Sequence, residues 1–484
     1  MRAMLRSLGI AAVVVAAACS DSSTSGGTGP VASGAAVLTG TISLNRTLSK
    51  DTVYTLSGYV QVASGATLTI PAGTKLIGDT NVAGSALFIL RGARIIANGT
   101  AAQPIVFTSA RAPGNRKPGD WGGLILIGNA RNNRSGSVIV EGSGSGPGAG
   151  SGGIVYTGGT DDNDNSGVLR YVRVEFGGYA VATNEELNSF TLAAIGRGTT
   201  LDYLQAMAGL DDSFEWFGGT VDAKHLVSYE SGDDHFDTSE GYSGRVQFAI
   251  GLQTTVIQPL PGTGSPSTDP QGFEVDGCNG AGCTAPPGGN AQSSGATTGL
   301  YTMNTFANFT LIGTGPGVVP ANQGIGAVLR RGTGGTYING VFGRWPTRAI
   351  TIRDSTSNNR LLVDSLTISN IYAVENGAST DPGPTDFGTQ AAIGAFIDSA
   401  AAGVTAASVL GAGFPAAGVI PTVATLNWQP GAGSPIAIGG LASFASKPKI
   451  AARAGSFITP TTYRGAVDPA GPAWFAGWTV YYRN

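Results

Sequence analysis

The sequence is poor in charge, in histidine and in cysteine. Only 12% of its 484 residues are Asp, Glu, Lys or Arg, against about 25% in an average globular protein. The formal net charge is −3 and no basic block occurs, which speaks against nucleic acid as a partner. The two histidines are His225 and His235. No His-x-x-x-His pair and no Gly-x-Ser-x-Gly elbow is present, so the usual zinc-protease and serine-hydrolase signatures are excluded. No stretch holds a helical period for three turns, which excludes a helical bundle. Beyond the N-terminus, no apolar run approaches the roughly 20 residues needed to cross a bilayer.

What is present begins at the N-terminus. Arg2 and Arg6 precede a short apolar stretch, residues 8–18, that runs into Ala16-Ala17-Ala18-Cys19. This layout is that of a secretory signal, and small residues directly before a cysteine resemble a bacterial lipoprotein signal. The expectation is a signal peptide over 1–18, a lipid on Cys19, and a flexible polar tether over 19–35 that holds the chain to the membrane. Ser20 stands directly after the cysteine, with no Asp at that position, which resembles the outer-membrane sorting pattern and so predicts an outer-membrane or cell-surface location. The other two cysteines, Cys278 and Cys283, stand in CNGAGC. Two glycines in the spacer allow a tight turn, and an exported chain permits a disulfide between them.

Glycine is abundant, at 76 residues, and short β-branched runs alternate with turn formers from residue 36 onward. Examples are residues 104–108, 123–127, 168–176, 246–252, 306–312, 349–352 and 361–372. Two internal repeats give the runs a period. SGATLTIPAGT (64–74) recurs as RGARIIANGT, with Leu68 over Ile95 at an offset of 27. YLQAMAGLDDSFEWFGG (203–219) recurs as HLVSYESGDDHFDTSEG (225–241) at a constant offset of 22. Units of this length with about three short strands predict an all-β solenoid, a right-handed parallel β-helix forming one domain over 36–484. Four segments rich in Gly, Pro or Ser interrupt it, near 141–153, 258–299, 376–389 and 399–419. Trp474, Phe475, Trp478, Tyr481 and Tyr482 crowd the C-terminus, and a cap over the last open coil is their expected role.

The 22-residue repeat carries the chemistry. In a parallel β-helix identical positions stack about 4.8 Å apart, so Asp211 meets Asp233, Asp212 meets Asp234, and Glu215 meets Asp237. Like charges at about 5 Å repel by roughly 3 kcal/mol at an effective dielectric of 20. Relief comes from a bound cation, from raised carboxyl pKa values, from Lys224 and Arg245, or from side chains splayed into solvent at a bend. Calcium suits clustered oxygen ligands of irregular geometry. A second acidic run, TDDNDNSG, offers Asp162 and Asp164 as either half of a calcium loop or an Asx-rich turn.

The IPAGT, GTAAQPIVFTSA, GDWGGLILIGNA, SGVLRYVRVEFGG and DDxF[ED] segments resemble a family of bacterial secreted and lipoprotein β-helices with the pectate-lyase-like fold and no settled activity. The resemblance covers roughly residues 52–252 and the C-terminal 463–479. It implies the fold, and as an alternative function a polysaccharide lyase or glycoside hydrolase, for which Asp233, Asp234, Asp237, His235 and Arg245 are the candidate catalytic residues. The hydrolases' Gly-His-Gly segment is missing. The preferred expectation is a non-catalytic, calcium-stabilised surface lipoprotein that binds a glycan or another surface component, with a purely structural envelope protein as the remaining alternative.

Overall fold

The computed structural model describes residues 34–144, 153–182, 185–262, 264–278, 283–284, 295–296, 299–380, 396–411, 414–421 and 426–482. The expected signal peptide, Cys19 and nearly all of the tether lie outside these residues, as do parts of the expected insertions and the side chain of Cys283. Among the described residues no helix is long and apolar enough to cross a membrane.

Among the described residues, twenty-five strands form one continuous parallel system that winds as a right-handed β-helix with three sheets. Strands such as Thr67–Ile70, Lys75–Gly78 and Ala86–Ile89 supply one coil, and Arg94–Asn98, Ile105–Ser109 and Leu124–Ile127 stack on them in register. The 27-residue repeat is this register, with Leu68 over Ile95. The 22-residue repeat is likewise one coil: Leu204 pairs with Leu226, Phe214 with Phe236 and Glu215 with Asp237. Gly219 and Gly241, which end the two copies, share a φ of 86°. A Cβ on Gly219 would stand 2.6 Å from the Ile195 carbonyl oxygen, so a larger residue fits neither the turn nor the space.

In five successive coils the first and second sheets merge into single long strands that bend midway: Gly167–Glu175, Thr200–Met207, Ala223–Tyr229, Arg245–Leu252 and Thr305–Ile312; the next two coils split them again at the bend. Each bend is one residue in the left-handed region. Tyr171, Tyr203, His225, Phe248, Asn308, Asn339 and Asn370 have φ between 49° and 67° and lie over one another. For bulky residues that conformation costs about 1–3 kcal/mol each. Stacking offsets part of the cost, with ring centroids 4.3 Å apart for Tyr171–Tyr203, 4.2 Å for Tyr203–His225 and 5.1 Å for His225–Phe248, each pair contributing about 0.5–1.5 kcal/mol. The asparagines adopt this conformation with less strain.

The interior is a column of stacked apolar side chains. Phe190, Phe214, Phe236 and Phe273 follow one another at 4.8, 5.5 and 5.7 Å, all fully buried. The aromatic C-terminus departs from its expected place. It caps no coil but runs along the flank, over the outer face of the second sheet, where Val227, Tyr229 and Ile250 form an apolar surface that needs cover. Trp478 meets Tyr171 and Tyr203 edge-on, and the Gln205 side chain pairs with both backbone groups of Val480 at 2.6 and 3.0 Å. The run 361–372 also departs. Its start belongs to the helix Ser355–Leu362, because the Asp354 side chain accepts the Ser357 N–H as an N-cap, and strands resume at Leu366–Ser369.

Phe236→Ala opens a cavity inside this column. We expect a loss of about 3–5 kcal/mol in denaturant unfolding followed by tryptophan fluorescence, and a loss below about 1 kcal/mol would contradict the packing described.

Candidate functional site: a carboxylate ladder on the third sheet

The acidic repeat sits where the second sheet turns into the third. In three successive coils the residue two before the inward phenylalanine directs its side chain to the backbone of the next coil. Asn188 Oδ1 accepts the Asp212 N–H at 3.2 Å, Asp212 Oδ1 accepts the Asp234 N–H at 2.7 Å, and Asp234 Oδ1 accepts the Gln271 N–H at 2.7 Å. These bonds continue the coil-to-coil ladder through a turn, so part of the motif is structural. The residue after each phenylalanine alternates outward, giving the row Thr191, Glu215, Asp237 and Glu274. Outward is not exposed here: Asp212 and Glu215 are each only 6% accessible. Covering loops close over the row's beginning, with Leu187, Val140 and Tyr156 packed on Phe88, Ile125 and Phe217.

Two groups of carboxylates converge. Asp211, Asp212 and Asp233 bring one oxygen each within 4.8 Å of one another, and Asp212, Glu215 and Asp237 do the same. Asp212 belongs to both. The expected relief by Lys224 and Arg245 does not occur, because both stand on the first sheet. Lys224 lies over the Phe457 ring at 4.8 Å, and Arg245 Nε bonds Asp222 at 2.8 Å. Arg330 and Arg331 are the nearby cations instead, and they pair with Glu274 and Asp276. Among the described residues this leaves Asp211, Asp212, Glu215, Asp233 and Asp237 without a salt bridge.

Burial first, and the surrounding carboxylates second, push Asp211, Asp212, Glu215, Asp234 and Asp237 well above the usual carboxyl range. Asp233 is pushed up to about 7 by burial and then Glu274. Glu141, on a covering loop, is pushed up to about 8 by burial and then by Glu186.

The remaining sequence candidates fall elsewhere. Asp162 is taken by Arg131, whose Nε stands 3.1 Å from both of its oxygens, and that bond holds its carboxyl below the usual range. Asp164 bonds the Ser166 hydroxyl at 3.3 Å. Neither joins the ladder. His235 is fully buried with its Nε2 unpartnered, and burial pushes it down to about 3. Arg245, raised by its bond to Asp222, is held as a cation. The sequence reading missed Glu274, Asp276, Arg330 and Asn188. A signal existed: Gln271-Gly272-Phe273-Glu274 continues the pattern, but the insertion before it stretches the offset to 37 and hides the period.

The donor set is all carboxylate oxygen, with no sulfur or imidazole in either group. Oxygens that share an ion at about 2.4 Å stand no more than about 4.8 Å apart, which both groups satisfy. The residues therefore fit a hard cation that takes many oxygens, calcium above all; magnesium demands a stricter octahedron.

Fold and site together define a parallel β-helix with a carboxylate ladder, buried at Asp212 and Glu215 and half-buried at Asp211, Asp233 and Asp237, on one sheet. The chain belongs to the pectate-lyase-like β-helix domain family, whose profile matches residues 40–413. Searches of the curated proteins and of the solved structures returned no significant match.

The sign of the pH dependence follows from the raised carboxyls. A carboxyl whose folded pKa exceeds its unfolded value binds more protons when folded, so stability is full below the unfolded pKa and is lost as pH rises through the folded one. For Asp233 that window runs from 3.8 to about 7, and for Glu141 from 4.5 to about 8. In calcium-free buffer with a chelator, the melting temperature is expected to fall between pH 5 and pH 8. A flat or rising profile would contradict the ladder's electrostatics.

Proposed function

We propose that the protein is a calcium-stabilised β-helix, lipid-anchored at the cell surface through Cys19, that binds a glycan or another surface component without cleaving it. The observation that carries the calcium part is the pair of carboxylate groups sharing Asp212, packed within 4.8 Å and lacking salt bridges. Asp211 and Asp233 would complete one ion's ligands and Glu215 and Asp237 the other's. Calcium would neutralise charge that the fold stacks by register; its place is structural, since the ladder belongs to the coil-to-coil hydrogen bonding.

Two observations weigh against a lyase or hydrolase. Arg245 is fixed to Asp222 and far from acting as a base, and His235 is buried against Ser228. The anchor, the outer-membrane placement and a disulfide between Cys278 and Cys283 belong to this reading on the sequence features alone.

Asp212→Asn is the informative variant, because the amide oxygen still accepts the Asp234 N–H while the shared charge is lost. Calcium at about 100 times its Kd stabilises a single-site protein by about 2.7 kcal/mol. The wild type, stripped by chelator, should gain several degrees of melting temperature on calcium addition, and Asp212→Asn should gain little. Without calcium the variant should melt above the wild type, since one repelling charge is gone. No calcium response in the wild type would sink the reading.

A further inference from the structure

The solenoid begins with the strand Gly34–Ile42, which pairs in parallel with Thr52–Val62 of the second coil. Among the described residues it has no other neighbour. The Gly34 N–H donates to the Asp51 carbonyl, and the Ile42 carbonyl accepts the Ala63 N–H. Successive residues of a strand direct their backbone groups to opposite sides. Ala36 and Leu38 therefore share the sense of Gly34, whereas Ala35, Val37 and Thr39 point their groups away from the second coil. The side chains alternate in the same rhythm, with Leu38 1% exposed and Val37 61%. Three N–H and three C=O groups thus form a free edge. It ends after Thr39, where the register shifts at Gly40, whose φ is 59°.

Natural edge strands are guarded by charge, proline, brevity or a covering segment. This one is nine residues long and holds no charged residue and no proline. The charges of the first coil, Arg46, Lys50 and Asp51, all lie past its C-terminal end. On its outward face Ala35 lies over Val53 and Val37 over Thr55, and the first charge there is Lys75, two coils in. Leu44, at the corner that follows, is 78% exposed. The residues ahead of the strand are unsuited to cover it. Residues 20–33 hold Gly26, Gly27, Gly29 and Pro30, with Val31 as the one strongly apolar side chain. They neither favour a strand nor supply a complete row of N–H groups. An edge without any charge pattern selects no charged partner, and the strand it matches best is its own copy.

We propose that two copies of the chain join head to head through this edge, Gly34–Ile42 pairing antiparallel with its counterpart about a two-fold axis at Val37. In that register Val37 opposes its own counterpart and Ala35 opposes Thr39, so each of the three pairs exchanges two backbone hydrogen bonds. The contact is isologous, as a closed dimer requires, and it satisfies all six free groups at once. The second sheet then runs unbroken through both solenoids. The lack of charge becomes a requirement, because a charge at residue 37 would meet its like across the axis at a Cα separation of about 5.5 Å. Both tethers leave from the junction beside Gly34, so two lipid anchors reach one membrane. The dimer goes beyond the reading above and is independent of calcium and of glycan binding.

The test is sedimentation equilibrium of the chain from residue 19 onward, carrying Cys19→Ser so that no lipid drives association. The wild type should show a monomer–dimer equilibrium. Val37→Pro removes the central N–H, which makes no bond within the chain, and proline is tolerated on such an edge. It should raise the dimer Kd at least tenfold with an unchanged near-ultraviolet circular dichroism. Should that variant disturb the fold, Val37→Lys and Val37→Glu decide. Each alone should be monomeric, and an equimolar mixture should dimerise, because residue 37 meets itself on the axis. A wild type that stays monomeric at every concentration, whether the tether, another protein or nothing covers the edge, overturns the proposal. A dimer left intact by Val37→Pro or by both charged variants also overturns it, since the contact then lies elsewhere. Failure of the mixture to restore the dimer does the same, since residue 37 is then not opposed to itself.

Discussion

Parallel stacking sets each residue about 4.8 Å from its counterpart one coil away, and the molecule is largely a set of answers to what like neighbours do at that distance. Phenylalanines over phenylalanines make the core column, with Phe190, Phe214, Phe236 and Phe273 in contact along the axis. Aromatic rings and then asparagines over one another make the bend between the first two sheets, where stacking sustains a backbone conformation that bulky residues avoid. Carboxylates over carboxylates do the reverse. Two charges at 4.8 Å repel by about 3 kcal/mol at an effective dielectric of 20, and burial removes the water that would screen them. The register that builds the core thus also builds the electrostatic problem, and nothing short of a slipped coil would remove it.

The polar ladder Asn188, Asp212, Asp234 and Gln271 shows that each acid has a structural task before it has any other. One oxygen of Asp212 and one of Asp234 is committed to the next coil's N–H. Asn188 does the same job without charge at the start of the ladder, so an amide suffices where only the hydrogen bond matters. The two central positions carry a charge that the hydrogen bond does not require. Charge in excess of a structural need, gathered with Asp211, Asp233, Glu215 and Asp237, is the physical reason to place a cation there.

Much of this was legible in the sequence because a constant offset is a statement about register. Leu204 over Leu226 and Glu215 over Asp237 followed from counting, as did the parallel β-helix itself. The rest was hidden for definite reasons. The third acidic rung at Glu274 is displaced by the excursion before it. The cations Arg330 and Arg331 reach the ladder only because Phe273–Asp276 pairs with the strand Ile325–Arg330, a contact that no local spacing encodes. Lys224 and Arg245 are close to the acids in sequence, yet the coil turns them to a different sheet. The aromatic C-terminus was read as a cap since its destination, the outer apolar face of the second sheet, exists only once the coils are wound.

We propose that a hard cation bridges the stacked carboxylates through Asp212. The most direct test is a crystal structure of the protein grown at saturating calcium, with anomalous differences collected from a lanthanide-substituted crystal. The account predicts at least one anomalous peak coordinated by Asp212 together with Asp211 and Asp233, or with Glu215 and Asp237. A map with no peak there, the carboxyls instead hydrogen-bonded to one another as neutral acids, would contradict it.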